Sequence, residues 1–356
     1  MLEMKAIVIL GGGYGGVSVV HQLLEQDLPA DHEIILVDRM PFQGLKTEYY
    51  AVASGTVADV DVRVPFPQDP RVRMVYGVIT EIDLENRKVH LEDQAIGYEQ
   101  LVIALGCTDK YHNIPGAEPY THSIQSFSST RETFCRISDV KPYGQVSIVG
   151  GGLSGVELAS ELREARPDLN VRILDRGASI LSAFPDKLQE YVRDWFQAHQ
   201  VEMLAHANIT RVEQGVLYNG NEAVYTDLTV WTAGIQPARP VQLLDLPKDA
   251  QGRLEINVYH QLPAYPNVYV VGDCASLPFS PSAQLAEAQG KQVAEVMQAL
   301  WKGETPELGQ IKLKGILGSL GKKAGFGLMG KRMIMMGRVP RVLKSGVLWM
   351  SKQHFG

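Results

Sequence analysis

Short apolar runs recur along the chain, and two of them end in the same kind of glycine-rich turn. Ala6-Ile7-Val8-Ile9-Leu10 leads into Gly11-Gly12-Gly13-Tyr14-Gly15-Gly16, and Val146-Ser147-Ile148-Val149 leads into Gly150-Gly151-Gly152-Leu153-Ser154-Gly155. Runs this short, bounded by turn residues, predict buried strands. The periodicity that follows each turn predicts a helix, over 17–26 and over 155–165. A second strand then ends on an acid: Glu33–Val37 before Asp38, and Val171–Leu174 before Asp175. These acids stand 22 and 20 residues past Gly16 and Gly155. The predicted class is α/β, with two Rossmann-like dinucleotide-binding units.

The chemistry needs these residue types. A Cβ would block the tight turn and the approach of a pyrophosphate, so glycines hold both places. The helix N-terminus offers unpaired N–H groups and partial positive charge to phosphate. The acid is placed to accept from a ribose 2′-hydroxyl. Candidate binding residues are therefore Gly11, Gly13, Tyr14, Gly15, Gly16, Asp38 and Arg39 in the first unit. In the second they are Gly150, Gly152, Leu153, Ser154, Gly155 and Asp175. A carboxylate at 175 repels a 2′-phosphate and favours NADH over NADPH, although the adjacent Arg176 works in the opposite direction.

Length and composition (356 residues, 45% hydrophobic) fit a soluble chain of two or three domains. No apolar run approaches the roughly 18–20 residues needed to span a bilayer, and the N-terminus lacks a secretory signal pattern. Cys107, Cys135 and Cys274 are far apart, which argues against a disulfide scaffold and fits a reducing cytosol. No metal site and no nucleic-acid partner are expected. Charge is uneven: residues 308–356 carry ten Lys or Arg and no Asp or Glu, dividing the net −6 into +10 there and −16 elsewhere. Within that tail, Val339, Val342, Leu343, Val347 and Met350 share one helical face. Arg341, Lys344, Ser345, Ser351 and Lys352 fall mainly on the other, with Trp349 at the boundary. A basic amphipathic helix of this kind predicts attachment to an anionic lipid surface. Packing on the chain's own body or in a homodimer is the competing reading.

The segment Pro266–Ala275, a strand ending in Gly272-Asp273, resembles the second flavin motif of the flavoproteins with two dinucleotide-binding domains. The strands ending at Gly106 and Gly234 resemble that superfamily's crossovers between domains. This resemblance implies FAD in the first unit, contacted also by Asp273, and NADH in the second. It further implies domains over 1–115 and 237–305 for FAD and 116–236 for NAD(H), followed by a basic segment at 306–356.

A closer resemblance is to the type II NADH dehydrogenases, carried by Gly150–Leu162, Val52–Thr56 and Ala283–Gly290. It implies hydride passing from NADH to FAD and electrons on to a quinone, at the inner, cytoplasmic face of a cell membrane. It also implies that Ala283 and Gln284 adjoin the flavin, with Gln284 facing the quinone. Glu157 is implied as a proton or binding group, against a solvated or capping acid, and Lys314 as a lysine near the acceptor site. Ala288 departs from a glutamine of the family pattern. Two alternatives stay open: an NADH-dependent reductase of a small electron-transfer protein, and a redox-sensing flavoprotein with little turnover. Independently of the resemblance, Pro281-Ser282 has the chemistry of a helix start, with a helix from about Ala283 to Leu300 whose dipole points at the flavin.

Overall fold

The structure is a computed structural model that describes residues 4–26, 28–330 and 333–354. Two parallel sheets organise it. In the first, the strand Lys5–Leu10 is central, with His32–Asp38 and Val72–Tyr76 on one side and Gln100–Ile103, Tyr265–Val270 and Gln261–Leu262 on the other. Its pairs are parallel except the last hairpin. In the second sheet Gln145–Val149 is central, between Asn170–Leu174 and Leu228–Trp231, with Val201–Leu204 and His122–Ser123 at the edges, all parallel. The order reverses at the central strand of each sheet, where open α/β sheets form their ligand crevice. Both expected glycine turns sit at these points, and the fold class is as the sequence predicts.

The helices start earlier than expected, at Tyr14 and Leu153, so the last glycines of each turn lie inside the first helical turn. Gly11 (φ +98°) and Gly150 (φ +114°) take a backbone conformation that favours glycine. A Cβ on Gly11 would lie 2.5 Å from the Ala104 carbonyl oxygen, and one on Gly150 2.6 Å from the Thr232 carbonyl carbon. Cys107–Asp109 pairs antiparallel with Ile235–Pro237, a two-stranded link where the chain passes between the sheets.

The helix Ala283–Trp301 begins as expected, with Ser282 Oγ accepting from the Leu285 N–H at 3.2 Å. It lies against the helix Tyr14–Glu25, and the Ser18 hydroxyl donates to the Glu287 carbonyl at 2.8 Å. Close approach depends on Gly290, where a Cβ would meet Gly15 O at 2.6 Å and Ser18 Cβ at 2.8 Å.

The tail holds a sheet that the sequence reading omits. Gly315–Leu320, Ala324–Met329 and Met333–Gly337 form an antiparallel meander, followed by the helix Arg338–His354. Leu320 and Phe326 are fully buried in the core of the second sheet. Lys331 and Arg332, two of the basic tail residues, lie outside the described residues.

The helix also inverts the expected orientation. Lys344 is 9% exposed, whereas Val342 is 69% and Trp349 62% exposed. Arg341 and Lys344 turn toward the body and the apolar stripe faces out, so these two cations are not available to a lipid surface. The reason is two buried acids on the helix Leu153–Ala165: Glu157 and Glu161, one turn apart, face Lys344 and Arg341.

The tight helix pair gives a direct test. Gly290→Ala should destabilise the protein by about 1–3 kcal/mol through overpacking, read as a lower urea midpoint. Unchanged stability would show that the two helices part freely.

Candidate functional site

A single cleft of about 570 Å³ runs from the first glycine turn to the tail helix. Gly11, Gly13, Tyr14, Gly15, Asp38 and Arg39 line one end, Gly106 and Asp273 the middle, and Ala283 and Gln284 a further wall. Gly16 lies buried behind the turn. At the interdomain end the wall includes Leu153, Ser154 and Glu157 from the second unit, then Ile316, Leu317, Lys344, Val347 and Leu348 from the tail. Gly150, Gly152, Gly155, Asp175 and Gly234 stand outside this cleft, around the second turn.

Each expected ribose acid is oriented by the turn it serves. Asp38 Oδ2 accepts from the Gly12 N–H at 2.7 Å and its Oδ1 from Met40 N–H at 2.8 Å. Asp175 Oδ2 accepts from the Gly151 N–H at 2.6 Å and its Oδ1 from Gly177 N–H at 2.7 Å. Burial pushes the Asp38 carboxyl above the usual carboxylate range, with the hydrogen bonds from Met40 and Gly12 opposing. Gly13 and Gly152 are the helix N-caps, and neither helix has a side-chain cap. A Cβ on either glycine would face open space. Both sites thus present free helix-terminal N–H groups beside room for phosphate, which fits a dinucleotide at each turn.

The Gly272-Asp273 turn is set by Gln289, whose Oε1 accepts from the Gly272 N–H at 2.9 Å. Gln284 is spent on the tail: its Nε2 donates to Gly315 O at 3.0 Å and its Oε1 accepts from Lys314 N–H at 3.0 Å. Ala288 lies outside the cleft wall, and Glu287 beside it lies within. Burial raises the Glu287 carboxyl to about 7, with the Lys314 charge opposing.

Glu157 is neither solvated nor a cap. It is buried, and its Oε1 accepts from the Lys344 ammonium and from Ser319 N–H at 2.9 Å. Lys344 also donates to Tyr50 Oη at 2.9 Å and lies 3.6 Å from Glu48 Oε1. The Tyr50 hydroxyl in turn reaches Glu48 Oε2 at 3.2 Å. Two buried carboxylates therefore share one ammonium. Burial raises the Glu157 carboxyl above the usual carboxylate range, with the Lys344 charge and the hydrogen bonds from Lys344 and Ser319 opposing. Lys344 is the site residue that sequence reading missed. Lys314, expected there, meets Gln284 through its backbone.

Residues 5–298 match the model of the pyridine nucleotide-disulphide oxidoreductases. The chain belongs to that family. It is 54% identical to the NADH dehydrogenase-like protein YutJ of Bacillus subtilis, over 99% of this chain and 100% of the relative. It is also 24% identical to the type II NADH:quinone oxidoreductase of Staphylococcus aureus, over 95% and 94%. Among solved structures, NDH2 from Plasmodium falciparum in complex with NADH superposes with a TM-score of 0.84 at 16% identity, covering 99% and 96% of the two chains. The sulfide:quinone oxidoreductase of Aquifex aeolicus gives 0.79 at 18% identity, covering 97% and 90%. The protein is thus an oxidoreductase of the NADH dehydrogenase type, for which FAD and NADH are the expected cofactors. The disulphide of the family name has no counterpart here, since Cys107, Cys135 and Cys274 are all free.

The shared ammonium makes a sharp prediction. Lys344→Met should cost roughly 3–5 kcal/mol, because it strands buried carboxylates, and adding Glu157→Gln should recover part of the loss. Urea denaturation of both variants checks this; additive losses would show that the pair does not interact.

Proposed function

We propose that this protein is an NADH:quinone oxidoreductase that works at a membrane surface. The reading is supported above all by the cleft, which joins the first glycine turn to a mouth framed by the tail. Bound FAD would supply the chemistry, taking hydride from NADH and giving electrons singly or in pairs to an acceptor.

The chain's own residues bind, orient and protonate. The Gly11 turn, Asp38, Gly106 and Asp273 would hold FAD, while the Gly150 turn, Asp175 and Gly234 would hold NADH. Leu153 and Ser154, at the start of the second unit's helix, border the cleft and would bring the nicotinamide end beside it. The helix beginning at Ala283 points its positive end into the cleft and favours negative charge there. Quinone reduction consumes protons. Glu157 and Glu287, the latter pushed up to about 7 by burial, are the cleft acids placed to hold them.

Among the described residues no helix is long and apolar enough to cross a membrane. Peripheral attachment is supported by the outward stripe of Val339, Val342, Leu343, Val347, Trp349 and Met350, all exposed. Val347 belongs both to this stripe and to the cleft wall, which brings the proposed lipid face to the site itself. The outward apolar stripe favours lipid over an acidic carrier protein, while Lys312, Lys314, Lys322, Lys323 and Arg338 keep basic charge exposed on the tail. Loss of turnover through Ala288 is likewise weakened, because Ala288 does not line the cleft.

Steady-state NADH oxidation with a short-chain quinone tests the first claim. Turnover of at least about 1–10 per second is expected of a working enzyme; flavin reduction by NADH without quinone turnover would overturn it. For attachment, Val342→Ser with Trp349→Ser should lower co-sedimentation with anionic liposomes several-fold while NADH oxidation by a soluble quinone persists. Equal sedimentation would remove the membrane claim.

A further inference from the structure

We propose that Lys46 is the residue that sets the electron affinity of the flavin, by supplying fixed positive charge at the ring end of the cleft. The inference rests on the FAD reading of the first glycine turn. Lys46 opens the short helical turn Lys46–Glu48 and lines the cleft. Its ammonium donates to Cys107 Sγ at 3.1 Å and Cys107 O at 3.5 Å. Cys107 begins the strand that crosses from the first sheet to the second. The ammonium is therefore fixed at the strand by which the chain passes between the two units. The second unit brings the nicotinamide to that same junction.

Lys46 forms no ion pair among the described residues. Both bonded partners are neutral groups, and an ammonium has three protons to give. Burial pushes the Cys107 thiol up to about 12, with the Lys46 charge opposing and the Asp273 carboxylate adding to the rise, so the sulfur stays a thiol flanked by Lys46 and Asp273. Asp109 lies within electrostatic reach, but one of its oxygens bonds Ser123 and the other, buried, has no partner. Burial raises its carboxyl above the usual range, against the hydrogen bond from Ser123 and the Lys46 charge. Of the cleft's other cations, Lys344 serves Glu157 and Glu48, and Arg39 follows Asp38.

The wall otherwise carries more acids than cations, with Asp38, Glu48, Glu157, Asp273 and Glu287 against Arg39, Lys46 and Lys344. Negative charge on a ring held there would be disfavoured without a nearby cation. At an effective dielectric constant of about 20, one charge a few ångströms away alters such an equilibrium by tenfold or more. The helix starting at Ala283 adds a partial charge, and Lys46 adds a full one.

The test uses the holoprotein with FAD bound, without NADH or acceptor. Sulfite adds to the oxidised ring through its sulfur lone pair, forming an S–N bond and leaving negative charge on the ring. Bleaching of the visible flavin band reports the binding. Lys46→Met should weaken sulfite binding about tenfold or more and move the flavin midpoint potential to a more negative value. Lys46→Arg should hold sulfite affinity within about threefold of the parent, because the charge persists. Unchanged sulfite affinity and potential in Lys46→Met with normal FAD content would overturn the proposal alone. A parent protein that neither carries nor takes up FAD would overturn the cofactor reading and the proposal with it.

Discussion

One buried ammonium holds the three parts of this chain in register. Lys344 comes from the tail helix, Glu157 from the helix that opens the second dinucleotide unit, and Glu48 and Tyr50 from the first. Ser319, from the tail sheet, closes the cluster by donating its N–H to Glu157. Each buried ion costs several kcal/mol to desolvate, and that cost is offset only when every partner is in place. The cluster therefore specifies one docked position of the tail and penalises any other. Arg341 adds a second, looser contact with buried Glu161 at 3.8 Å, one helical turn away.

That constraint explains an unusual use of amphipathicity. An amphipathic helix on a soluble body ordinarily turns its apolar stripe inward. Here the acids at 157 and 161 hold the cationic face in, and the apolar face is forced out. An exposed stripe of this size is unfavourable in water and calls for a partner. Lipid is the partner proposed, since acyl chains cover such a stripe without any acidic partner surface. The same helix turns Leu348 inward against the cluster around Leu45 and Phe127, so it is anchored by packing as well as charge.

How much of this was legible in the sequence depended on how local each requirement is. The glycine turns were readable because a strand, a tight turn, a helix start and an acid about 20 residues on meet one chemical need within one unit. The start of the helix at Ala283 was readable for the same reason, since Ser282 caps it within three residues. The Lys344–Glu157 pair spans 187 positions, and no local signal connects them. Helical periodicity placed Lys344 on the polar face correctly but could not say which face turns inward. The tail sheet escaped because glycines at 315, 318, 325 and 327 replace the side chains whose alternation marks a strand. Gly318 is one such place, lying against the ring of Phe326. Motif matching likewise pointed at position 288, while the helix geometry puts Glu287 in the wall.

Two of the cleft's cations are held in different ways. Lys46 stands at the junction of the units, bonded to Cys107 and without an ion pair among the described residues. Lys344 stands between the second unit and the tail, with its charge shared between two acids. A free cation lowers the energy of negative charge on whatever lies beside it. A shared cation instead offsets the burial of its carboxylates, opposing the rise that burial imposes on Glu157. Exchanging the two would be costly, because a lone ammonium at the tail would leave Glu157 and Glu48 unpaired in the interior. Val347 and Leu348 of the tail helix form the mouth of the cleft beside Lys344. An apolar acceptor arriving along the outward stripe of the tail helix would reach that mouth without passing through bulk water.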